Sequence, residues 1–168
     1  GRAWTSGVYI DMNLALLGGE EELIRTLAHE FHHIYMDSIL SDYYKQDSKD
    51  HALMAICWNQ QEGTADMISK PVMPTDKMGI YGEKMIKAYN DDYFSTPQVL
   101  QELDSLTCQY LAGKITKKQY RKARECAHFE GHTTGDYMVF LIRDQLGKKK
   151  AIECFGDFAK FVNLYNEA

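Results

Sequence analysis

A helical pattern of apolar residues near the N-terminus constrains the fold most strongly. Apolar side chains recur there at intervals of three and four residues, the spacing typical of an amphipathic helix: Leu23, Ile24, Leu27, Phe31 and Ile34. Three glutamates at 20–22 precede them, and negative charge stabilises the first turn of a helix. The sequence therefore predicts a helix from about residue 20 to residue 38.

Local signals predict the rest of the architecture. The alternation in Gly7–Met12 favours one short β-strand, which we expect beside the first helix. Only three prolines interrupt the 168 residues, and 45% of the residues are hydrophobic, so we expect a mostly α (α+β) fold. Because the chain has the usual length of one domain, residues 1–168 are predicted to form a single one. Further helices are expected near residues 50–69, 75–89, 97–113, 117–124, 134–146 and 159–165.

Two histidines lie one helical turn apart in the segment His29-Glu30-Phe31-His32-His33. Residues four apart project from the same side of a helix, so His29 and His33 can bind one metal ion. Glu30 lies about 100° around the helix, where it can act as a general base on a water molecule. His32 is an alternative ligand, and a pair of histidines without a metal is the other interpretation. The apolar residues of the helix are expected on its opposite side, with the histidines facing a cleft.

A catalytic zinc ion takes three protein ligands and keeps one position for water. The metzincin pattern would place Gly at position 36 and His at position 39, but this chain has Met36 and Ile39. The segment Glu62-Gly63-Thr64-Ala65-Asp66 on the second helix offers two carboxylates four residues apart. One of them can bind zinc while the other accepts a hydrogen bond from a ligand histidine. Gly63 is expected to let the first helix approach the second closely.

These motifs together resemble those of the gluzincin zinc metallopeptidases, the thermolysin-like clan. The Glu-Gly-x-Ala-Asp segment is similar to small families of zinc-dependent peptidases, and the resemblance covers about residues 8–147. It implies a zincin-like helical domain that binds Zn²⁺ through His29, His33 and Glu62. It further implies that Glu30 is the general base and that Asp66 supports a ligand histidine from behind.

A third segment adds a candidate for transition-state stabilisation. Gly131-His132-Thr133-Thr134-Gly135 is similar to a Gly-Tyr-x-x-Gly segment that opens a late helix in those families, with His132 where tyrosine is usual. His132 or Tyr137 is therefore expected to donate a hydrogen bond to the oxyanion, and a structural role is the alternative for His132. His128 lies four residues before His132, but Gly131 between them disfavours a second metal site on one helix.

The predicted function is zinc-dependent hydrolysis of a peptide bond, with Zn²⁺ as cofactor and a peptide or protein as substrate. Two alternatives stay open: an amidase or esterase that acts on a non-peptide substrate, and a zinc-stabilised binding module without turnover. The motifs specify a metal and a base, whereas the walls of the cleft specify the substrate. The sequence predicts neither which peptides are cleaved, nor endo- or exopeptidase activity, nor the oligomeric state.

Charge and hydropathy exclude other classes of partner. The net charge of −5 argues against binding to nucleic acid, although lysines and arginines cluster between residues 117 and 124. No apolar run reaches the roughly 18 residues of a membrane span, and no signal peptide is present, so we expect a soluble protein. The chain starts at Gly1 without methionine, which leaves a trimmed N-terminus and a secreted origin open.

Overall fold

The computed structural model describes residues 2–4, 7–47, 51–70, 72–76, 78, 81–123 and 129–168. It is mostly helical, which confirms the predicted fold class. A small antiparallel hairpin of β1 (Arg2–Trp4) and β2 (Gly7–Tyr9) comes first, and a 3₁₀ turn at Phe129–Gly131 precedes the fifth helix. The helices are α1 (Met12–Asp47), α2 (His51–Ser69), α3 (Glu83–Leu111), α4 (Lys117–Ala123), α5 (His132–Leu146), α6 (Lys148–Glu153) and α7 (Phe158–Glu167).

The N-terminal strand is shorter than predicted and is one half of a hairpin. β2 ends at Tyr9, and only two residues separate it from the start of α1 at Met12. Asp11 Oδ1 accepts a hydrogen bond of 2.8 Å from the backbone N–H of Asn13, which satisfies a free donor at the start of the helix. Both strands contact α1, so the strand lies beside the first helix, as expected.

The first helix contains a break at the place where the sequence predicts its start. Gly19 has φ 78° and ψ −176°, in the left-handed φ region that favours glycine, and two helical segments meet there. The predicted helix from residue 20 therefore begins directly after this break. The segment from Met12 to Gly18 was not predicted as helix.

The side of α1 that carries His29 and His33 also carries its most deeply buried apolar residues. Phe31 is 57% exposed and Ile24 is 58% exposed, whereas Met36 and Leu40 are fully buried. Met36 and Leu40 pack with Cys57 of α2 and Phe158 of α7. The helix is thus buried on its histidine side, because that side, and not the side with Phe31, lies against α2.

The third and fourth predicted helices are one helix, and its start is later than expected. The structure has no helix within the described residues 72–76, and α3 runs through Pro97. Proline lacks the N–H that would bond the carbonyl four residues earlier. The hydroxyls of Ser95 and Thr96 bond back to the carbonyl of Asp92 at 2.9 and 3.3 Å, next to this gap.

The helices of the C-terminal half agree more closely with the predictions from the sequence. The side chain of Gln119 accepts hydrogen bonds from the backbone N–H and the hydroxyl of Thr116, a capping box at the start of α4. α5 and α7 start and end within two residues of their predicted limits. α6 was not predicted. Among the helices of the described chain, none has the length and apolar character that crossing a membrane requires.

A close crossing of α2 and α5 fixes how the site is assembled. A Cβ atom on Gly63 would lie 2.2 Å from the carbonyl oxygen of Gly135, and one on Gly135 would lie 2.2 Å from that of Asn59. Gly63 therefore admits α5 and not α1, in contrast to the sequence-based expectation. Below the crossing, Val139, Phe140 and Ile142 of α5 pack into the main core. The crossing places the start of α5 beside the centre of α2.

Replacing Gly63 with alanine is expected to destabilise the protein by at least about 1–3 kcal/mol, because the new methyl group meets backbone that cannot rotate away. Gly82→Ala is the matched control. Gly82 has φ −78°, and no atom lies within 4 Å of the point that an added methyl group would occupy, so its change should stay within about 0.5 kcal/mol. Urea unfolding of the two variants gives the comparison. Equal free energies of unfolding would show that α2 and α5 are not in this contact.

Candidate metal centre

Neighbouring helices bring the three predicted ligands together. His29 and His33 lie one turn apart on α1, and their Nε2 atoms are 3.0 Å apart. Glu62 of α2 places Oε2 3.5 Å from Nε2 of His29 and 3.4 Å from Nε2 of His33. The ligand atoms of these three residues all lie within 4.8 Å of one another. Two imidazoles and one carboxylate thus point at the same small volume.

The chemistry and spacing of these atoms fit a zinc ion. Tetrahedral zinc with bonds of about 2.0–2.1 Å holds its ligand atoms roughly 3.3–3.4 Å apart, close to the distances here. Oε2 of Glu62 is buried and accepts no hydrogen bond within the described part of the chain. A buried carboxylate oxygen without a donor is costly, and a cation bound to it removes that cost.

Glu62 has the charge that metal binding needs. Burial by itself would raise the pKa of Glu62, but the contacts with His29 and His33 outweigh burial and lower this pKa to about 2. Burial would likewise lower the pKa of His29, but the hydrogen bond with Asp66 and the close contact with the Glu62 carboxylate raise it to about 9. Glu62 is therefore an anion at neutral pH, and a metal ion that binds His29 replaces the proton on its Nε2.

Asp66 lies behind the cluster and contacts two histidines. Its side chain is almost completely buried. Oδ1 lies 3.0 Å from Nδ1 of His29, and Oδ2 lies 2.8 Å from Nδ1 of His132. Each contact fixes a ring orientation in which the opposite nitrogen, Nε2, faces Glu62. Although burial opposes ionisation, these histidines and Lys70 keep the pKa of Asp66 well below its usual range.

A group of polar side chains behind Asp66 was not predicted. The ammonium group of Lys70 lies 2.7 Å from Oδ2 of Asp66 and donates to the Tyr89 hydroxyl at 3.0 Å. This hydroxyl lies 2.7 Å from Oδ2 of Asp136, a fully buried carboxyl group. Burial and the negative charge of Asp66 raise the pKa of Asp136 well above its usual range. Of these contacts, only the ion pair between Asp66 and Lys70 could be expected from the sequence, because the two residues are four positions apart.

Glu30 is buried beside the cluster. It lines a cavity of about 250 Å³ together with His29, Asp66, Lys70 and His132. Glu30 directly follows His29 in α1, so its side chain leaves the helix in a different direction. It lines this cavity but does not belong to the group of close metal-binding atoms. A water molecule in the cavity would have a carboxylate on one side and the histidines on the other.

His132 enters the site from the first turn of α5. Gly131 before it has φ 90°, a conformation that favours glycine, and the helix begins there. Nε2 of His132 lies 3.3 Å from Oε2 of Glu62. His132 also forms a second set of mutually close metal-binding atoms with His29 and Asp66. The third predicted segment thus contributes directly to the centre.

Other residues that the sequence singled out lie elsewhere. The ring of Tyr137 packs against Tyr93 of α3, with centroids 5.5 Å apart, and Tyr137 does not line the cavity that contains Glu30. His32 points to Thr64, with 2.7 Å between Nε2 and Oγ1. Burial, then the neighbouring His33 and His29, lowers the pKa of His32 to about 4. His128 lies outside the described residues.

Comparison with known proteins agrees with this geometry. A family model described as "Putative zinc dependent peptidase (DUF5700)" matches residues 1–168, the whole chain. The chain belongs to this family. No curated protein and no solved structure gives a significant match. The family description names a metal and a class of reaction, and the centre on α1 and α2 contains residues suited to both.

Proposed function

We propose that this protein is a gluzincin-type peptidase in which His29, His33 and Glu62 hold a catalytic zinc ion. The observation that carries the proposal is the convergence of two imidazole nitrogens on the buried, unpartnered Oε2 of Glu62. Membership in a family described as zinc-dependent peptidases supports it. The HExxH and Glu-Gly-x-Ala-Asp motifs are, in this proposal, the two halves of one metal site.

Zinc, when bound, would polarise the scissile carbonyl and lower the pKa of a water molecule towards 7. Glu30 performs the proton transfer. Its carboxylate takes the proton of the attacking water and delivers it to the nitrogen of the leaving amine. Glu30 is buried at the cavity that His29 and His132 also line, which supports this role.

His132 stabilises the oxyanion in this proposal, with help from Asp66. Asp66 accepts a hydrogen bond from Nδ1 of His132, so Nε2 is directed towards the centre. In the doubly protonated form both ring nitrogens donate, one to Asp66 and one to the developing negative charge. Asp66 also holds His29 through Nδ1, and it thereby orients a metal ligand and the donor at the same time.

One observation favours a second candidate function. Nε2 of His132 is as close to Oε2 of Glu62 as the nitrogens of His29 and His33 are. If His132 were a fourth ligand, the site would be closed, as structural zinc sites are, and the protein would be a zinc-stabilised binding module. An amidase or esterase would use the same centre as the peptidase and would differ only in its substrate.

Zinc content tests the ligand set. We expect the wild-type protein to retain one zinc ion per chain after dialysis, and His33→Ala to lose most of it, because two protein ligands remain. His32→Ala is the matched control, since His32 is the adjacent histidine on the same helix but points to Thr64. Elemental analysis measures the metal, and circular dichroism verifies that both variants are folded. Equal zinc in the two variants would contradict the assignment of His33.

A further inference from the structure

A second cavity, of about 360 Å³, adjoins the candidate centre. The two cavities share four lining residues: Glu22, Lys70, Met78 and His132. His132 connects the second cavity with the candidate metal centre, because its Nε2 faces Glu62. Consecutive residues of an extended peptide lie about 3.3–3.6 Å apart, so a side chain next to the scissile bond can reach this space.

The walls of the second cavity are mainly apolar and aromatic. Its further lining residues include Tyr81, Met85, Tyr89 and Phe129. Tyr81 is 52% exposed and Met85 is 41% exposed, so much of their surface is available to a ligand. Methionine side chains adapt to the shape of an occupant and make favourable contacts with aromatic rings.

The charged groups of this cavity do not favour an acidic occupant. Lys70 is the cation in the wall, but its ammonium group is bound to Asp66 at 2.7 Å and to the Tyr89 hydroxyl at 3.0 Å. The same nitrogen lies 4.7 Å from the centre of the Tyr89 ring. Glu22 adds a carboxylate at the wall that the two cavities share, and it would repel another anion.

We propose that this cavity is the main specificity pocket and receives a bulky, uncharged apolar side chain of the substrate, such as Phe, Leu or Met, next to the cleaved bond. This inference rests on the peptidase function proposed above and names its substrate class. Met78 and Met85 make the apolar contacts with the substrate side chain, while the polar groups of Lys70 and Tyr89 in the wall stay paired with Asp66 and Asp136.

The activity test uses a peptide library with every residue type at the positions around the cleaved bond. We expect peptides with Phe or Leu at one adjacent position to be cleaved at least about 10-fold faster, in kcat/KM, than the same peptides with Ala. Met85→Lys should reduce this preference by about 10-fold or more and improve cleavage of peptides with Glu there. Met12→Lys is the matched control, because Met12 is 66% exposed and does not line the cavity. Its cleavage profile should equal that of the wild-type protein.

A binding test gives a readout that needs no turnover. The zinc-loaded protein with ¹³C-labelled methionine methyl groups is titrated with N-acetyl-phenylalanine amide, and with the corresponding alanine and glutamate amides. We expect the phenylalanine probe to shift the signals of Met78 and Met85 and to leave those of Met12 and Met36 unchanged. Met36 is fully buried in a different cluster, so it reports any general effect on the fold.

The outcomes separate this inference from the proposed function. Selective shifts of Met78 and Met85, together with an apolar preference that Met85→Lys removes, support the pocket. Cleavage without such a preference, or a phenylalanine probe that does not shift these methyl groups, would overturn the pocket while the peptidase function stands. Absence of any peptide cleavage by the zinc-loaded protein would refute the peptidase function, and the pocket as a substrate site with it.

Discussion

Replacing Glu30 with glutamine is expected to lower kcat for peptide cleavage by about 10²–10⁴-fold while zinc stays bound. The amide has nearly the same size as the carboxylate and preserves the cavity that Glu30 lines. It has no basicity, however, and cannot take a proton from the attacking water. Glu30 is outside the ligand set, so metal affinity should be unchanged. The measurement is kcat on a peptide identified from a library digest, combined with elemental analysis of the same sample.

Glu20→Gln is the matched control for this prediction. Glu20 is an exposed glutamate on the same helix, one residue after the break at Gly19, and it lines neither cavity beside the centre. Its change alters the net charge by the same amount as Glu30→Gln. Turnover of Glu30→Gln at the level of the control would exclude Glu30 as the base. Loss of zinc from Glu30→Gln would assign it to the metal instead.

The parts of the centre that sequence predicts are those that lie within one helix turn. His29 and His33 must project together wherever residues 20–38 are helical, and the same holds for Glu62 and Asp66. The pairing of the two turns also followed, because a zinc site needs a third ligand from another element. The structure brings these four side chains together.

The parts that sequence could not predict depend on how separate helices pack. Tyr89 and Asp136 are 47 residues apart and meet because α3 packs against α5. No local pattern signals such a contact. The sequence likewise does not indicate which side of α1 is buried most deeply: apolar periodicity shows which side of a helix is apolar, but α2 packs against the other side.

The crossing of α2 and α5 connects local sequence features with the packing of separate helices. The sequence indicates a close approach at Gly63, and it separately singles out Gly135 as the last residue of the segment that starts at Gly131. In the structure they are the two sides of one crossing. Because Gly135 is three residues after His132, that crossing sets the depth at which His132 reaches Glu62. Tyr137, two residues after Gly135, is carried to another face of α5, against Tyr93.

His132→Ala is expected to lower kcat by about 10²–10³-fold, the usual effect of losing one oxyanion donor, with little change in KM. The donor acts on charge that develops only in the transition state, so substrate binding should be nearly unaffected. Zinc should be retained, since His29, His33 and Glu62 remain. His132→Tyr should recover part of the activity, because a hydroxyl can donate from the same segment. Steady-state kinetics and elemental analysis of both variants measure these effects.

Tyr137→Phe is the control that separates the two candidate donors. The substitution removes only a hydroxyl and keeps the ring that packs on Tyr93, so kcat should equal the wild-type value. A loss of kcat in Tyr137→Phe, with His132→Ala unaffected, would transfer the donor role to Tyr137. Loss of zinc from His132→Ala would mean that His132 is a fourth ligand. Zinc would then be held in a closed site by α1, α2 and α5, and the binding module would replace the peptidase as the better account of this fold.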